Sequence, residues 1–541
     1  MKYWPLSILF LIGEHAFCQL DDIPARMAVY ASRNNADQLF VHTDKHIYTN
    51  NEYIWFSGWL LHCGNDSMPL HRLLSLALVP ADTRTPGIQQ KFFMRNGYSY
   101  GSMQLPDSIA PGVYKLIAYT NVMGPDSLPL ALFTQDLSIR SIRKPDIVAA
   151  ATILEDTTGK KDLLLTVRNK ENYQPIAGAE LWVWCGNSKT IKGITDKKGT
   201  YRLNLSLVDP GSTAFPIINT KVKYQGDITY LQNKWPSNTA DRQLDARFFP
   251  EGGYLVTNTI CRIGWESKSS AGEPATMRAI VFEDQQPIDT ITTNEQGLGK
   301  FDLPVHTGVS YSIKPIAWPA ELQLKKEGYL LPTVLSKGVT ISIPKAITND
   351  SLFCKISASG YSQVNIVVHN YRTVFKQQAL ALKQGVVRAL LLLDDVPKGL
   401  TAITLLDTNN RPLAERIFFA HYNSKTICTV TPNQQAYEKR QKVTVSFQLS
   451  KNGQPVEGFA SVASAQANRY NLSKQQDIES FTYLQSSLQH VPDYTNGEGY
   501  KNEDHLEKVL LVRGWRRYTW QEVLTDKQHP LPFIQQLSVE K

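Results

Sequence analysis

Residues 40–60, FVHTDKHIYTNNEYIWFSGWL, decide the fold class of this 541-residue chain. Phe40 and Val41 lead into Thr43-Asp44-Lys45, and Tyr48 precedes a polar turn, Thr49-Asn50-Asn51-Glu52. Ile54, Phe56 and the tryptophans at 55 and 59 then supply an apolar run. The pattern predicts strand, tight turn, strand. Asn accepts left-handed geometry, so Asn50-Asn51 suits the turn.

The same texture continues outward. Short alternating runs such as LLSLALV (73–79), GVYKLIAY (112–119) and KVTVSFQL (442–449) are separated by Gly, Pro, Asn and Asp. That spacing predicts antiparallel sandwiches and not parallel sheets with helical crossovers. A chain this long exceeds one core. We assign five sandwiches, at residues 25–142, 147–235, 244–320, 336–424 and 425–541, the last carrying a short helical tail. The fold class is therefore all-β, a tandem array of antiparallel, immunoglobulin-like sandwiches. Apolar residues at 478, 481, 484 and 488 have helical spacing, and 506–511 and 515–524 also read as helical.

Repetition supports the array. Asn172-Tyr-Gln-Pro-Ile176, Asp284-Gln-Gln-Pro-Ile288, Asn410-Arg-Pro-Leu413 and Asn452-Gly-Gln-Pro-Val456 are variants of one phrase, a polar turn followed by Pro at a strand start. Thr195-Asp-Lys-Lys-Gly199 and Thr293-Asn-Glu-Gln-Gly297 read as equivalent hairpin turns, with Gly supplying positive φ. The opening stretch has its own echo: Tyr437 precedes Val443 by six positions, as Tyr48 precedes Ile54.

The N-terminus reads as a secretion signal over residues 1–18. Lys2 gives the positive start, Trp4 opens a short apolar run to Gly13, and cleavage is expected between Cys18 and Gln19. The rival reading is lipidation at Cys18, although Phe17 stands where such a motif places a small residue. No stretch reaches transmembrane length. The net charge of +8 is spread without a block of five like charges, so nucleic acid is not the expected partner. The cysteines after the signal, at 63, 185, 261, 354 and 428, are scattered and lack C-x-x-C pairs. Free buried thiols are the expectation.

Chemistry is sparse. GYSYG at 97–101 matches G-x-S-x-G, but an elbow needs a helix after the Ser, and Pro106 and Pro111 follow instead. Ser99 is expected in a hairpin turn. His42 and His46 are i,i+4, a metal pair only on a helix. No catalytic residue, metal or cofactor is expected, and the chain is read as a non-enzyme. Two features point to binding. Trp55/Trp59 and Trp182/Trp184 share strand faces, for which burial is the commoner outcome. Trp515, Arg516, Arg517, Tyr518 and Trp520 mix rings and cations, either as a docking surface or as a helix packed on the last sandwich.

The order Thr-Asp-Lys, Tyr, turn, Glu, aromatic strand resembles the second domain of alpha-macroglobulins, usually TDKPxYxPGxxVxF. FFPEGG (248–253), GWRRYTW (514–520) and GYSYGSMQLP (97–106) together resemble large Bacteroidetes surface proteins. Those carry macroglobulin-like domains, a carboxypeptidase-regulatory-like domain and a TonB-dependent receptor plug. The resemblance runs from about residue 25 to about residue 525. It implies that 147–235 is regulatory-like, and that plug and barrel would lie beyond Lys541. His46 replaces the family Pro, and no Cys-Gly-Glu-Gln thioester is present. Covalent protease trapping is therefore not implied. The expected function is an exported binding or scaffold protein of the cell envelope, in the periplasm or at the surface with the outer membrane. It would be part of, or a partner to, a TonB-dependent receptor. An endopeptidase inhibitor without thioester and a carbohydrate-binding surface protein are the alternatives.

Overall fold

The computed structural model describes residues 22–33, 37–61, 68–80, 86–124, 126–141, 145–186, 188–210, 217–236, 243–270, 272–451, 453–470, 477–488, 502–514, 520, 523 and 533–534. The expected signal and cleavage site at Cys18 and Gln19 lie outside these residues, as do Trp515, Arg516, Arg517 and Tyr518. Among the described residues, no helix is long and apolar enough to cross a membrane.

The chain is a tandem array of β-sandwiches, as the short alternating runs predict. The first contains β1 (Gln38–Thr43), β2 (Ile47–Thr49), β3 (Tyr53–Leu61), β4 (Leu73–Pro80), β5 (Ile88–Phe93), β6 (Tyr98–Gln104), β7 (Gly112–Thr120), β8 (Val122–Met123) and β9 (Leu132–Arg140). A three-stranded sheet, β1-β3-β6, faces a five-stranded one, β2-β9-β7-β4-β5. Leu39, Val41, Ile54, Phe56, Leu74, Leu76, Leu78 and Leu116 fill the space between them. Ser99 lies within β6, opposite Gly58, and is buried. Gly101 leaves room for Phe92, whose ring a Cβ there would meet at 2.8 Å. The expected turn closes earlier, at Arg95–Tyr98 with positive φ at Asn96 and Gly97, so Ser99 lies in the strand after it and GYSYG is mostly a strand packing motif.

The second sandwich pairs three strands with four, the third four with four, and the fourth three with four. One hairpin recurs through them. The Oδ1 atoms of Asp156, Asp196, Asn294 and Asp407 each accept backbone N–H groups two and four residues on. Each turn places positive φ at its fourth residue: Gly159, Gly199, Gly297 and Asn410. A side-chain carbonyl or carboxylate that mimics a backbone acceptor explains why these positions are Asp or Asn.

In the fourth sandwich, Gln363–His369 and Gly399–Leu406 are buried along almost their whole length. A strand covered on both faces reads as a continuous apolar run. One cover is the facing sheet. α1 (Asp22–Arg33) packs Ile23, Met27 and Tyr30 into the same cluster, as do Leu484, Leu488, Trp520 and Val523 from the far end of the chain.

The fifth unit departs from expectation. Residues 425–541 do not form a sandwich among the described residues. They contribute one three-stranded sheet, Thr426–Pro432, Val445–Lys451 and Gln454–Pro455, and then segments that pack on the first, third and fourth sandwiches. The physical reason is that the described residues after Val456 are spent on those long-range contacts and supply no second layer. The helical tail is present as turns over Ile478–Gln485 and a helix at Glu503–Arg513.

Candidate interaction surfaces

The Thr-Asp-Lys turn is a closed hydrogen-bond unit. Asp44 Oδ1 accepts from Tyr48 Oη at 2.7 Å and from Trp55 N at 3.0 Å, and Asp44 N donates to Trp55 O. Glu52 Oε2 accepts from Thr49 N at 2.8 Å, and Asn51 takes a φ of 63°. Lys45 lies 3.5 Å from both Asp44 and Glu52, and 4.9 Å from the centroid of the buried Tyr48 ring. Each residue type of the motif therefore has a structural task.

The turn also holds the distant C-terminal part of the chain. Tyr470 Oη donates to Asp44 O at 2.6 Å, His46 N donates to Arg469 O at 3.1 Å, and Arg469 lies 3.5 Å from Glu52. The His46 and Tyr470 rings meet edge to face, and His42 Nδ1 lies 2.7 Å from Ser461 Oγ. Further along, Phe481 packs against Phe40 and Phe133. His42 and His46 thus serve the strap whose described residues include Ser461, Arg469 and Tyr470. Among the described residues, no group of three or more His, Cys, Asp or Glu could hold a metal.

Beside this strap the outer face of β3 and β6 is aromatic. Tyr53, Trp55, Tyr98 and Tyr100 are exposed, Trp55 by 59% and Tyr100 by 71%. Strand alternation puts all four with Trp59 on one face. Neighbouring rings run Tyr53–Trp55 at 6.2 Å, Trp59–Tyr98 at 5.7 Å and Tyr98–Tyr100 at 5.6 Å, tilted by 30° to 39°. The expected burial of the tryptophan pairs fails at Trp55. Among the described residues no layer covers its face, because the core lies on the other side of β3. Trp182 and Trp184 are partly buried, with Lys221 Nζ 5.3 Å from the Trp182 ring.

The Glu503–Arg513 helix docks between the third and fourth sandwiches. Asn502 caps it, its Oδ1 accepting from His505 N. Glu507 Oε1 accepts from Ala346 N and Ile347 N at 2.6 and 3.0 Å. Arg513 forms a two-point pair with Glu266, and Lys345 lies 3.2 Å from Glu503. Gly264 lets the helix approach, since a Cβ there would meet Leu511 Cγ at 2.7 Å. The Glu of FFPEGG completes the joint. Glu251 Oε1 accepts from Arg416 Nε at 3.0 Å and Ile343 N at 3.1 Å, and Arg416 Nη1 donates to Leu510 O. Both charged side chains are almost fully buried, with exposures of 5% and 1%.

Of the five candidate interaction residues, Trp520 is the one described. Its indole is buried, and Nε1 donates to Thr404 Oγ1 at 3.0 Å and Glu415 Oε2 at 2.7 Å. Tyr371 Oη donates to Glu415, and His369 Nε2 lies 2.8 Å from Thr404 Oγ1. Burial lowers the His369 pKa to about 3, so the ring is neutral. Glu415 keeps 26% of its side-chain surface, yet both its oxygens take donors, and desolvation raises its carboxyl above the ordinary range. Trp520 is therefore an internal anchor of the fourth sandwich. Cys185 is buried, and Cys261 and Cys354 are buried free thiols, with burial pushing Cys261 up to about 12 and Cys354 to about 11. Cys428 is exposed.

No protein-family model matches this sequence, and no curated protein matches it. Among solved structures, the chain is similar to native Escherichia coli alpha-2-macroglobulin, at 12% identity and a TM-score of 0.30, covering 77% of this chain and 31% of that one. Salmonella alpha-2-macroglobulin reacted with methylamine gives 14% identity and 0.31, covering 77% and 32%. The Escherichia coli adhesin FdeC gives 10% identity and 0.23, covering 51% and 98%. The chain spans about a third of the length of these macroglobulins. At such identities and scores the likeness supplies no argument about activity.

Proposed function

We propose that the chain is an exported, non-enzymatic, macroglobulin-like binding scaffold of the cell envelope, part of or partner to a TonB-dependent outer-membrane receptor. The observation that carries the scaffold reading is where the polar residues of the sequence motifs are spent. Asp44, Tyr48 and Glu52 close a turn, Glu251 and Arg416 close a domain joint, and Trp520 anchors a core. Ser99 is absorbed by packing, and the buried histidines His71 and His369 by packing and hydrogen bonds. Fractionation of the source cells, followed by crosslinking in intact envelopes, tests this. Recovery in the envelope with a receptor-type outer-membrane protein crosslinked to it is expected, and a cytosolic location refutes it.

The exposed Tyr53–Trp55 and Trp59–Tyr98–Tyr100 rings favour a second reading, a carbohydrate-binding face on the first sandwich. Ring faces with neighbouring hydroxyls stack on sugar rings and hydrogen-bond their edges. Tryptophan fluorescence titrated with soluble β-glucan and chitin oligosaccharides tests it. Saturable quenching that is lost in Trp55→Ala supports the reading, and no response to either sugar removes it.

A further inference from the structure

Three sandwiches end one sheet on an equivalent edge strand: Thr200–Asn204 in the second, Leu298–Val305 in the third and Val386–Leu392 in the fourth. An unpaired edge is a template for another strand, and proteins guard it with short length, charge or Pro. The second edge is five residues long and carries Arg202, paired with Asp162 at 2.7 Å. The third carries Lys300, Asp302 and Pro304. Gly297 O accepts from Ser267 N, and alternation from that bond turns the backbone of residues 298, 300, 302 and 304 outward. Pro304 therefore withholds a donor from any added strand.

The fourth edge lacks these guards. VVRALLL (386–392) has seven residues, no Pro and one charge. Leu393 N donates to Asp350 O and Ala358 N to Gly385 O, which fixes the ladder. Val387, Ala389 and Leu391 bond to the neighbouring strand Ser351–Ser359, and Arg388, Leu390 and Leu392 turn their N–H and C=O to the open side. No described strand pairs with them there. Their side chains face solvent: Leu390 is 64% exposed and Leu392 55%, and Phe353 opposite Leu390 is 44% exposed. Arg388 stands directly opposite Lys355, and among the described residues neither has an ion-pair partner. Like charges opposed across a ladder destabilise it.

We propose that Val386–Leu392 is a strand-addition site for an extended peptide segment of a partner protein, apolar where it faces Leu390 and Leu392 and acidic where it faces Arg388. The added strand runs antiparallel, as its neighbours in this sheet do. That sets the order apolar-x-apolar-x-acidic for the residues opposite Leu392, Leu390 and Arg388. Main-chain bonds to three outward residues hold the segment, and alternate side chains select it. Its carboxylate meets a cation that the sheet leaves unmatched, in a charge-assisted bond. The sheet grows from three strands to four, equal to the four-stranded layer it faces and to the four-plus-four of the third sandwich. A second copy of this edge is the poorer occupant, because VVRALLL offers no carboxylate to Arg388.

Amide hydrogen exchange and fluorescence anisotropy of the full chain with the labelled peptide acetyl-Val-Thr-Val-Thr-Glu-Ser-amide test the proposal. In the free chain the amides of Leu390 and Leu392 should exchange fast and those of Ala389 and Leu391 slowly. The expected result is saturable binding below about 1 mM peptide that slows Arg388, Leu390 and Leu392. Lys in place of the peptide's Glu should weaken binding about tenfold or more, and Arg388→Glu should reverse that preference. Leu390→Lys guards the edge and should remove binding while Ala389 and Leu391 stay protected. Three results overturn it: Leu390 and Leu392 already protected without peptide, because the chain's own residues or a second copy hold the edge; no binding of the Glu peptide at about 1 mM; or binding that neither the peptide's charge nor Leu390→Lys alters. The wild-type exchange pattern decides even where a variant misfolds.

Discussion

Replacing Arg416 with Met removes one member of the buried pair at the joint of the third sandwich, the fourth and the Glu503–Arg513 helix. Glu251 is then left in an almost closed site with the Ile343 N–H as its remaining described donor, and the Leu510 carbonyl loses its guanidinium. Removing one partner of a buried pair costs about 3–5 kcal/mol, because the other charge stays buried without compensation. The loss should fall on the helix first, since Arg416 holds it through Leu510. At about 4 kcal/mol its opening becomes roughly a thousandfold easier. Amide hydrogen exchange reads this locally, which matters in a chain of several domains where one unfolding free energy is ill defined. The double variant Glu251→Gln, Arg416→Met removes the stranded charge and should recover about 1 kcal/mol or more relative to the additive expectation. Exchange in the helix changed by less than about fivefold, about 1 kcal/mol, would refute the assignment of this pair as the joint.

Gly264→Val places a side chain where Leu511 already sits, and should cost about 1–3 kcal/mol by overpacking, read as earlier protease cleavage around the Glu503–Arg513 helix while the first sandwich stays resistant. Trp520→Ala deletes a buried indole and two hydrogen bonds, and should cost about 3–5 kcal/mol, read as a lowered melting transition of the fourth sandwich. Burial depresses the pKa of His505 to about 4 and of His369 to about 3 from 6.5. The unfolded chain therefore takes up these protons first. Both histidines contribute full stability above pH 6.5 and lose it progressively as pH falls toward 4 and 3. Denaturant midpoints measured between pH 7 and pH 4 should drop, and less steeply in His369→Gln.

The local architecture was legible because it is written in turns. The Asp or Asn that opens each hairpin and the Thr-Asp-Lys-to-Glu52 unit are short-range devices, and the echo at Tyr437 proved to be the same device. Placement of distant segments was not legible. Nothing in Arg469 or Tyr470 alone points to Asp44, and Glu251 finds Arg416 only once two sandwiches meet. QVNIVVH (363–369) and GLTAITLL (399–406) do carry a sequence signal for placement, since near-continuous apolar strands predict cover on both faces. α1 and Trp520 provide that cover. Trp55 shows the opposite failure, since alternation fixes which residues share a face but not which face meets water.

Asp44 builds the turn and, through it, the seat for Arg469 and Tyr470. Asn433 makes the same bonds in the fifth unit, so Asp44→Asn should be nearly silent, whereas Asp44→Ala leaves Tyr48 Oη and the Trp55 N–H without their acceptor, at a cost of about 1–3 kcal/mol. Hydrogen exchange at the amides of His46 and Trp55 measures this most directly. Faster exchange at both in Asp44→Ala, with wild-type rates in Asp44→Asn and faster exchange at His46 alone in a Tyr470→Ala variant, is the predicted result. Unchanged exchange at His46 when Tyr470 is removed, or equal effects of Asn and Ala at position 44, would contradict it.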